Sequence, residues 1–290
     1  MPTIDEKRVY TDESGTETVY LATGLGVVSV SVSDDLIGEF GVAHRCRARD
    51  VATAGPYLAV ATDEDVLVSD RRAGDASDAG ERAGDETGFK PTGFGHAAAV
   101  GFQDGALLAG DSDGRVARYD PASGESAGDD APVDGEWTDL GTVGAVRAVD
   151  GDFVAAADGV HQVTDGGVRP VGLDDAYDVD AEPLVATGSG LYKLGNGWMD
   201  VAPGPATAVD ATQRRGLAVC DGTLYARRAD DGTWAAAESP FDAGAAVAAV
   251  AHGAEAAYAV TDAGRLAVRV PGGEWHDRSL GVREVAAAAV

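Results

Sequence analysis

The sequence predicts an all-β fold, a seven-bladed β-propeller, and three observations lead to this prediction. A hairpin pattern, in which two apolar runs flank a short turn with Gly and often Asp, occurs throughout the chain. Its copies lie 31 to 50 residues apart, which is the period of a four-stranded propeller blade. The C-terminal segment matches the opening strand of a blade but has no hairpin after it. Seven blades would therefore occupy the whole chain as a single domain, residues 1–290.

The hairpin copies are clearest from Val154 to Arg228, where three follow one another with little sequence between them. The other copies are looser, but each can be placed by the first apolar residue after its turn. These seven anchor residues are Val27, Val66, Val116, Val160, Leu191, Leu224 and Leu266. Hydrophobic residues make up 44% of the chain and 40 residues are glycine, which suits short strands and tight turns better than long helices.

The last nine residues, "VREVAAAAV", need a partner strand elsewhere in the chain. The hairpin from Val19 to Val32 has no opening strand of its own, so we expect the C-terminal strand to complete this first blade. A ring closed in this way leaves no exposed sheet edge between its ends.

Two acidic loop insertions are predicted, at about residues 71–93 and 122–135. Both are rich in Asp, Ala and Gly and contain almost no large apolar residue, a composition that cannot support a packed core. We expect them to be solvated loops between strands of a blade.

The chain carries a net charge of −27, from 49 acidic and 22 basic residues. Such a composition keeps a folded protein hydrated in concentrated salt, where charge repulsion is screened, so we expect a halophilic cytoplasmic protein with an acidic surface. Binding to nucleic acid is disfavoured because no basic stripe is present. The N-terminus lacks a targeting signal and no apolar run reaches 18 residues, so no membrane association is expected.

Each of the four tryptophans follows a turn that contains Gly, in "DGEW", "NGW", "DGTW" and "GGEW". A large ring at this point of the repeat is expected to pack a blade against its neighbour. The residues are Trp137, Trp198, Trp234 and Trp275.

Several of these segments resemble repeats of known propellers. "DGTWAAAESP" and "GGEWHDRSL" resemble degenerate Asp-box turns of the sialidase type, and "SDGRVARYDPASGE" resembles the blade repeat of PQQ-type and WD-type propellers. As a whole, the chain is similar to a haloarchaeal family of β-propellers. The resemblance implies the architecture alone, because the arginine triad, tyrosine nucleophile and acid pair of sialidases cannot be mapped onto this sequence.

No catalytic, cofactor or metal motif was found. The sequence contains no GxSxG, Walker loop, HExxH or CxxC. The five histidines are scattered over different predicted blades, so neither a metal nor a cofactor is expected. Cys46 and Cys220 are interpreted as small buried thiols. The absence of these motifs favours a protein that is not an enzyme and leaves catalysis at another kind of site as the alternative.

One group of charged residues is predicted to gather at the mouth of the central channel. Aligning the opening strands on their central Val places three arginines at one position and three acidic residues at the next. An arginine cluster there would bind a carboxylate or a phosphate. The alternative is that each arginine neutralises a neighbouring acid. The residues are Arg49, Arg147 and Arg283, with Asp50, Asp178 and Glu284.

Two functional hypotheses follow. The first is a non-catalytic scaffold that docks a protein partner, because a repeated fold without a catalytic set offers a surface rather than a reaction centre. The second is a small-anion binding protein, or a hydrolase, that acts at the channel mouth.

Overall fold

The computed structural model describes residues 15–71, 88–121 and 135–290 of the chain. These residues form seven antiparallel four-stranded sheets, and contacts between the innermost strands of successive sheets arrange them in a ring. The predicted seven-bladed β-propeller is confirmed. Among the described residues, none belongs to a helix long and apolar enough to cross a membrane.

The strands of each blade follow one another in the chain from the innermost to the outermost, except in blade one. Blade one contains β1 (Thr16–Thr23), β2 (Gly26–Ser33) and β3 (Leu36–His44), together with β28 (Ala287–Ala289). Blade two contains β4 (Ala48–Ala54), β5 (Tyr57–Thr62), β6 (Val66–Asp70) and β7 (Lys90–Pro91). Blade three contains β8 (Ala99–Gln103), β9 (Ala106–Gly110), β10 (Arg115–Pro121) and β11 (Gly135–Thr142).

The remaining four blades follow the same order with shorter connections. Blade four contains β12 (Val146–Asp150), β13 (Phe153–Ala156), β14 (Gly159–Thr164) and β15 (Gly167–Gly172). Blade five contains β16 (Ala176–Asp180), β17 (Leu184–Thr187), β18 (Gly190–Leu194) and β19 (Trp198–Pro203). Blade six contains β20 (Ala206–Ala211), β21 (Gly216–Cys220), β22 (Thr223–Arg227) and β23 (Trp234–Ala236). Blade seven contains β24 (Val247–His252), β25 (Ala257–Thr261), β26 (Arg265–Arg269) and β27 (His276–Ser279).

The ring closes in blade one, as the sequence predicts. Strand β28 pairs antiparallel with β1, with Ala288 opposite Leu21, and it lies innermost in the sheet. The tail also contacts blade two, because the Thr53 hydroxyl donates a 2.7 Å hydrogen bond to the carbonyl oxygen of Val290. The first and last parts of the chain are therefore joined by β pairing.

The apolar core lies between neighbouring blades. The cluster between blades seven and one, for example, contains Val30, Tyr258 and Leu266, all fully buried. The hydroxyl of Tyr258 donates a 2.6 Å hydrogen bond to Glu17 of blade one, so its polar end is also satisfied. Alternating apolar residues on each strand thus bury both faces of a blade against its two neighbours.

The tryptophans pack between blades, which confirms the prediction made for them. Trp137 lies 4.7 Å from Phe94 between ring centroids, and its Nε1 donates to the Thr92 carbonyl of blade two. Trp198 of blade five donates in the same way to Val171 of blade four, at 2.8 Å.

The two predicted acidic insertions lie mostly outside the described residues. At the end of the first insertion, Lys90–Pro91 forms the outermost strand of blade two, and Gly135 at the end of the second begins β11. Both insertions therefore lead directly into an outermost strand.

Candidate functional site in the central channel

A cavity of about 510 Å³ lies where the seven innermost strands meet. The strand pairings define equivalent positions on these strands, which form successive rings around the channel. The first ring contains two aspartates and five alanines: Asp50, Ala99, Ala148, Asp178, Ala208, Ala249 and Ala287. The second ring is Val51, Val100, Val149, Val179, Val209, Val250 and Ala288. The third ring is Ala52, Gly101, Asp150, Asp180, Asp210, Ala251 and Ala289.

The two aspartates of the first ring each join their blade to the next one. Asp50 accepts hydrogen bonds from its neighbour Val51 N and from Val100 N of blade three, at 2.8 and 2.9 Å. Asp178 accepts in the same way from Val209 N of blade six, at 2.8 Å. A carboxylate in this position satisfies a backbone N–H that faces the channel, so it acts as a brace between blades.

The third ring repeats this arrangement over three consecutive blades. Asp150 accepts a 2.8 Å hydrogen bond from Ala181 N of blade five, and Asp180 accepts one of the same length from Ala211 N of blade six. Asp210 contacts a side chain instead, because its Oδ2 lies 2.6 Å from Nδ1 of His252 in blade seven. These contacts link blades four, five, six and seven in sequence.

Burial in the channel raises the pKa of four carboxyl groups. Desolvation raises the pKa of Asp50 to about 7, although its two backbone hydrogen bonds act in the opposite direction. Desolvation also raises the pKa of Asp180 to about 7, and the nearby charge of Asp210 adds to this effect. The pKa of Asp178 is raised well above its ordinary value, and that of Asp150 is raised, in both cases mainly by burial. Asp50 and Asp180 therefore bind protons in the neutral pH range.

Two of the predicted arginines lie at the channel wall, and both form ion pairs. Arg49 donates to Asp63, while Arg147 donates to Asp175 at 2.7 Å and stacks 4.3 Å from the ring centroid of Tyr177. The hydrogen bond from Arg49 lowers the pKa of Asp63, and that from Arg147 lowers the pKa of Asp175. The arginines thus pair with acids from nearby turns, not with the channel aspartates.

The other two predicted residues, Arg283 and Glu284, lie outside the channel wall. Alignment on Val285 made Arg283 equivalent to Arg49, but the pairing of β28 with β1 places Ala286 at that position. Glu284 lies 3.4 Å from Arg47 at the protein surface. The predicted arrangement is therefore displaced by three residues in the last strand, and three arginines do not gather at the mouth.

Sequence reasoning missed the acidic third ring. Asp150, Asp180 and Asp210 each follow the central Val of an opening strand, in "AVRAVD", "AYDVD" and "ATAVD". That repeated Val-Asp pair was the available signal. The pair could not be recognised as a cluster from the sequence, because only the assembled channel brings the three aspartates together. There the charge of one aspartate raises the pKa of another.

A family model described as "Beta-prop_HVO_0234:-like, beta propeller" matches residues 3–290. The chain belongs to this β-propeller family. The family resemblance expected from the blade repeats is thus confirmed at the level of a propeller family that covers nearly the whole chain. A search of curated proteins finds no match.

Solved structures with the same fold are similar in shape but distant in sequence. "Structure of U3-55K" has a TM-score of 0.56 and 13% identity, with 79% of each chain covered. The computationally designed Ika8 protein also has a TM-score of 0.56, with 14% identity over 94% of this chain and 91% of its own. At such identities the likeness concerns the fold of this family member and not its activity.

Proposed function

We propose that this propeller is a non-catalytic scaffold of a halophilic cytoplasm and that it docks a protein partner on the outermost strand of blade one. The observation that carries the proposal is the exposure of three large apolar side chains on β3. Leu36, Phe40 and Val42 are exposed by 71%, 38% and 37%. A protein with a net charge of −27 gains nothing in hydration from such residues, so their place on one strand supports a binding role.

The arrangement of this strand supports recognition of a partner. Phe40 and Val42 lie opposite Val30 and Val28, on the face of the blade that packs toward blade seven. The guanidinium of Arg278 from β27 stacks 5.0 Å from the Phe40 ring centroid. An aromatic ring held by an arginine is typical of the residues that dominate binding energy at protein interfaces. We call Phe40, Val42 and Arg278 the β3 surface, whereas Leu36 lies opposite Ser33 on the other face of the blade.

Two further observations favour docking over catalysis. The other exposed large apolar residues of the described chain are single, on different elements: Leu25, Tyr57, Tyr177 and Met199. In the channel, aspartates of the first and third rings accept backbone hydrogen bonds, which favours a structural role for them.

The proposal is tested by affinity capture in molar KCl with three forms of the full chain. These are the wild type, the double variant Phe40→Ser/Val42→Ser, and the control Met199→Ser, which removes an even more exposed apolar residue, 52%, from blade five. A partner identified with the wild type is then purified and titrated. We expect the double variant to bind at least about tenfold more weakly, since each buried anchor contributes 1 kcal/mol or more. Equal affinity for all three forms would exclude the β3 surface.

The alternative, small-anion binding or hydrolysis at the channel mouth, is supported by the position of Arg49 and Arg147 on the channel wall. We rank this anion-binding hypothesis below docking, because both arginines already form ion pairs, with Asp63 and Asp175. An anion would have to displace a carboxylate from each arginine. A thermal-shift screen with phosphate, nucleotides and sugar acids tests it. A ligand that raises the unfolding temperature of the wild type but not of Arg49→Gln/Arg147→Gln would support it.

A further inference from the structure

The turn between β9 and β10 differs from the same turn in other blades. In blades one, two and five its first residue is a threonine, whose hydroxyl donates to the carbonyl three residues later: Thr23, Thr62 and Thr187. In blade three this residue is Asp111, whose Oδ1 accepts from Asp113 N and Arg115 N at 2.9 and 3.0 Å. A neutral hydroxyl is thus replaced by a carboxylate at a position that is 6% exposed.

The Asp111 carboxylate accepts two backbone hydrogen bonds, but no basic side chain among the described residues neutralises its charge by direct contact. No lysine, arginine or histidine among them lies within ion-pair distance of Asp111. The guanidinium of Arg115 is turned toward Phe94, 4.5 Å from the ring centroid and bonded to its carbonyl. The Asp111 carboxylate is held by two backbone N–H groups and meets no basic side chain among the described residues, so the position can accept a cation.

Two further metal-binding side chains lie beside Asp111. His96 comes from the connection that leads from blade two into β8, and Asp113 is the third residue of the turn. One ligand atom from each of the three residues lies within 4.8 Å of the other two, and His96 Nε2 is 3.7 Å from Asp113 Oδ2. That distance is too long for a hydrogen bond. It suits two ligands of one ion with bonds of about 2.0–2.2 Å. The side chains of His96 and Asp113 are exposed, so they can rotate toward an ion.

We propose that His96, Asp111 and Asp113 bind a divalent transition-metal ion of the Zn²⁺ or Mn²⁺ type. An imidazole nitrogen with two carboxylates favours such an ion over Ca²⁺ and Mg²⁺, which prefer sites made of oxygen alone. The ion would join the connection from blade two to the turn of blade three and would neutralise Asp111. This site is separate from the β3 surface and does not depend on the docking proposal.

The test is isothermal titration of the full chain with ZnCl₂ in about 1 M KCl, which screens weak binding to scattered carboxylates. The variants are Asp111→Thr, which restores the threonine of other blades, and His96→Gln, which changes an exposed side chain. His276→Gln is the matched control, because His276 also faces an aspartate, Asp35 at 3.3 Å, and both of these side chains are exposed.

We expect one Zn²⁺ to bind the wild type and His276→Gln alike, and at least about tenfold more weakly to Asp111→Thr and His96→Gln. If Asp111→Thr fails to fold, the affinity of His96→Gln for Zn²⁺ alone tests the proposed site. Absence of binding to the wild type, or equal binding to all four proteins, would overturn the proposal. Binding of Ca²⁺ as tight as that of Zn²⁺ and unaffected by His96→Gln would overturn it as well.

Discussion

The channel aspartates show how single residues join the blades of this propeller. Asp50 and Asp178 each place one carboxylate oxygen on the backbone of the next blade, where five other blades have alanine. The hydrogen bonds stabilise the contact between blades, while desolvation of the carboxyl opposes it at high pH. The balance of these two effects depends on protonation.

The raised pKa values predict that the protein loses stability as the pH rises from about 4 to 7. In the unfolded chain Asp50 has a pKa of 3.8, and in the folded protein the value is about 7, so folding takes up a proton between these values. The favourable contribution is complete below pH 3.8 and is lost as the pH passes 7. The loss is at most roughly 1.4 kcal/mol for each unit of difference between the two pKa values.

Urea unfolding at pH 5 and pH 8, at constant salt, measures this loss. We expect Asp50→Asn to show a smaller difference between the two pH values than the wild type. Asp231→Asn is the control, because the pKa of Asp231 is lowered by its hydrogen bonds from Thr233 and it titrates below this window. An equal difference in the wild type and Asp50→Asn would contradict the assignment.

At the scale of single residues, the sequence predicted part of the candidate site. The alignment on valine placed Arg49, Arg147, Asp50 and Asp178 correctly on the channel wall. It failed for Arg283, because alanine fills the second ring in β28 and Val285 lies three residues earlier. The arginine partners could not be predicted, since Asp63 and Asp175 lie on turns whose approach to the channel depends on the assembled ring.

At the scale of strands, close contact between the innermost strands depends on small residues. A Cβ added to Gly101 of β8 would overlap the carbonyl oxygen of Val149 in β12. We expect Gly101→Ala to lower the free energy of unfolding by about 1–3 kcal/mol, because the backbone of blade three or four must move. Gly41→Ala on β3 is the control, since no atom lies within 4 Å of its added Cβ, and its effect should stay within about 0.5 kcal/mol. Chemical denaturation compares the two, and equal effects would contradict this account of blade packing.

The pairing of β28 with β1 predicts that closure stabilises the whole ring. We expect Ala287→Pro to lower the unfolding temperature and to promote association, because proline at this paired position cannot donate to the β1 ladder and the freed edge of β1 can pair with another chain. Ala287→Ser keeps the backbone N–H and serves as the control. Calorimetry and light scattering measure both effects. A proline variant as stable and as monomeric as the serine variant would show that closure contributes little.

Strand pairing was largely predictable, because each hairpin joins strands that are adjacent in the sequence. The alternation of apolar and polar residues along each strand could be recognised directly. Closure was also predictable, since one strand at each end lacked a partner. The outermost strand Lys90–Pro91 could not be predicted, because a strand of two residues is too short to show an alternation of apolar and polar residues.

At the scale of the whole molecule, the net charge of −27 predicts that stability depends on salt. Repulsion among the acidic residues opposes the compact state, and salt screens it. We expect the unfolding temperature at pH 7.5 to rise by at least roughly 5 °C between about 0.1 M and 2 M KCl, which for a chain of this size is about 2 kcal/mol. The rise should shrink near the isoelectric point of about 4.3. A flat or falling dependence at pH 7.5 would contradict the proposed halophilic character.

We propose that the propeller acts through the outer strand of blade one and not through its channel. Hydrogen exchange of the protein alone and in complex with its purified partner distinguishes these two locations. We predict slower exchange on partner binding in residues 36–44 and 276–279, with the innermost strands unchanged. Slower exchange confined to residues around Arg49 and Arg147 would contradict the claim and return the function to the channel mouth.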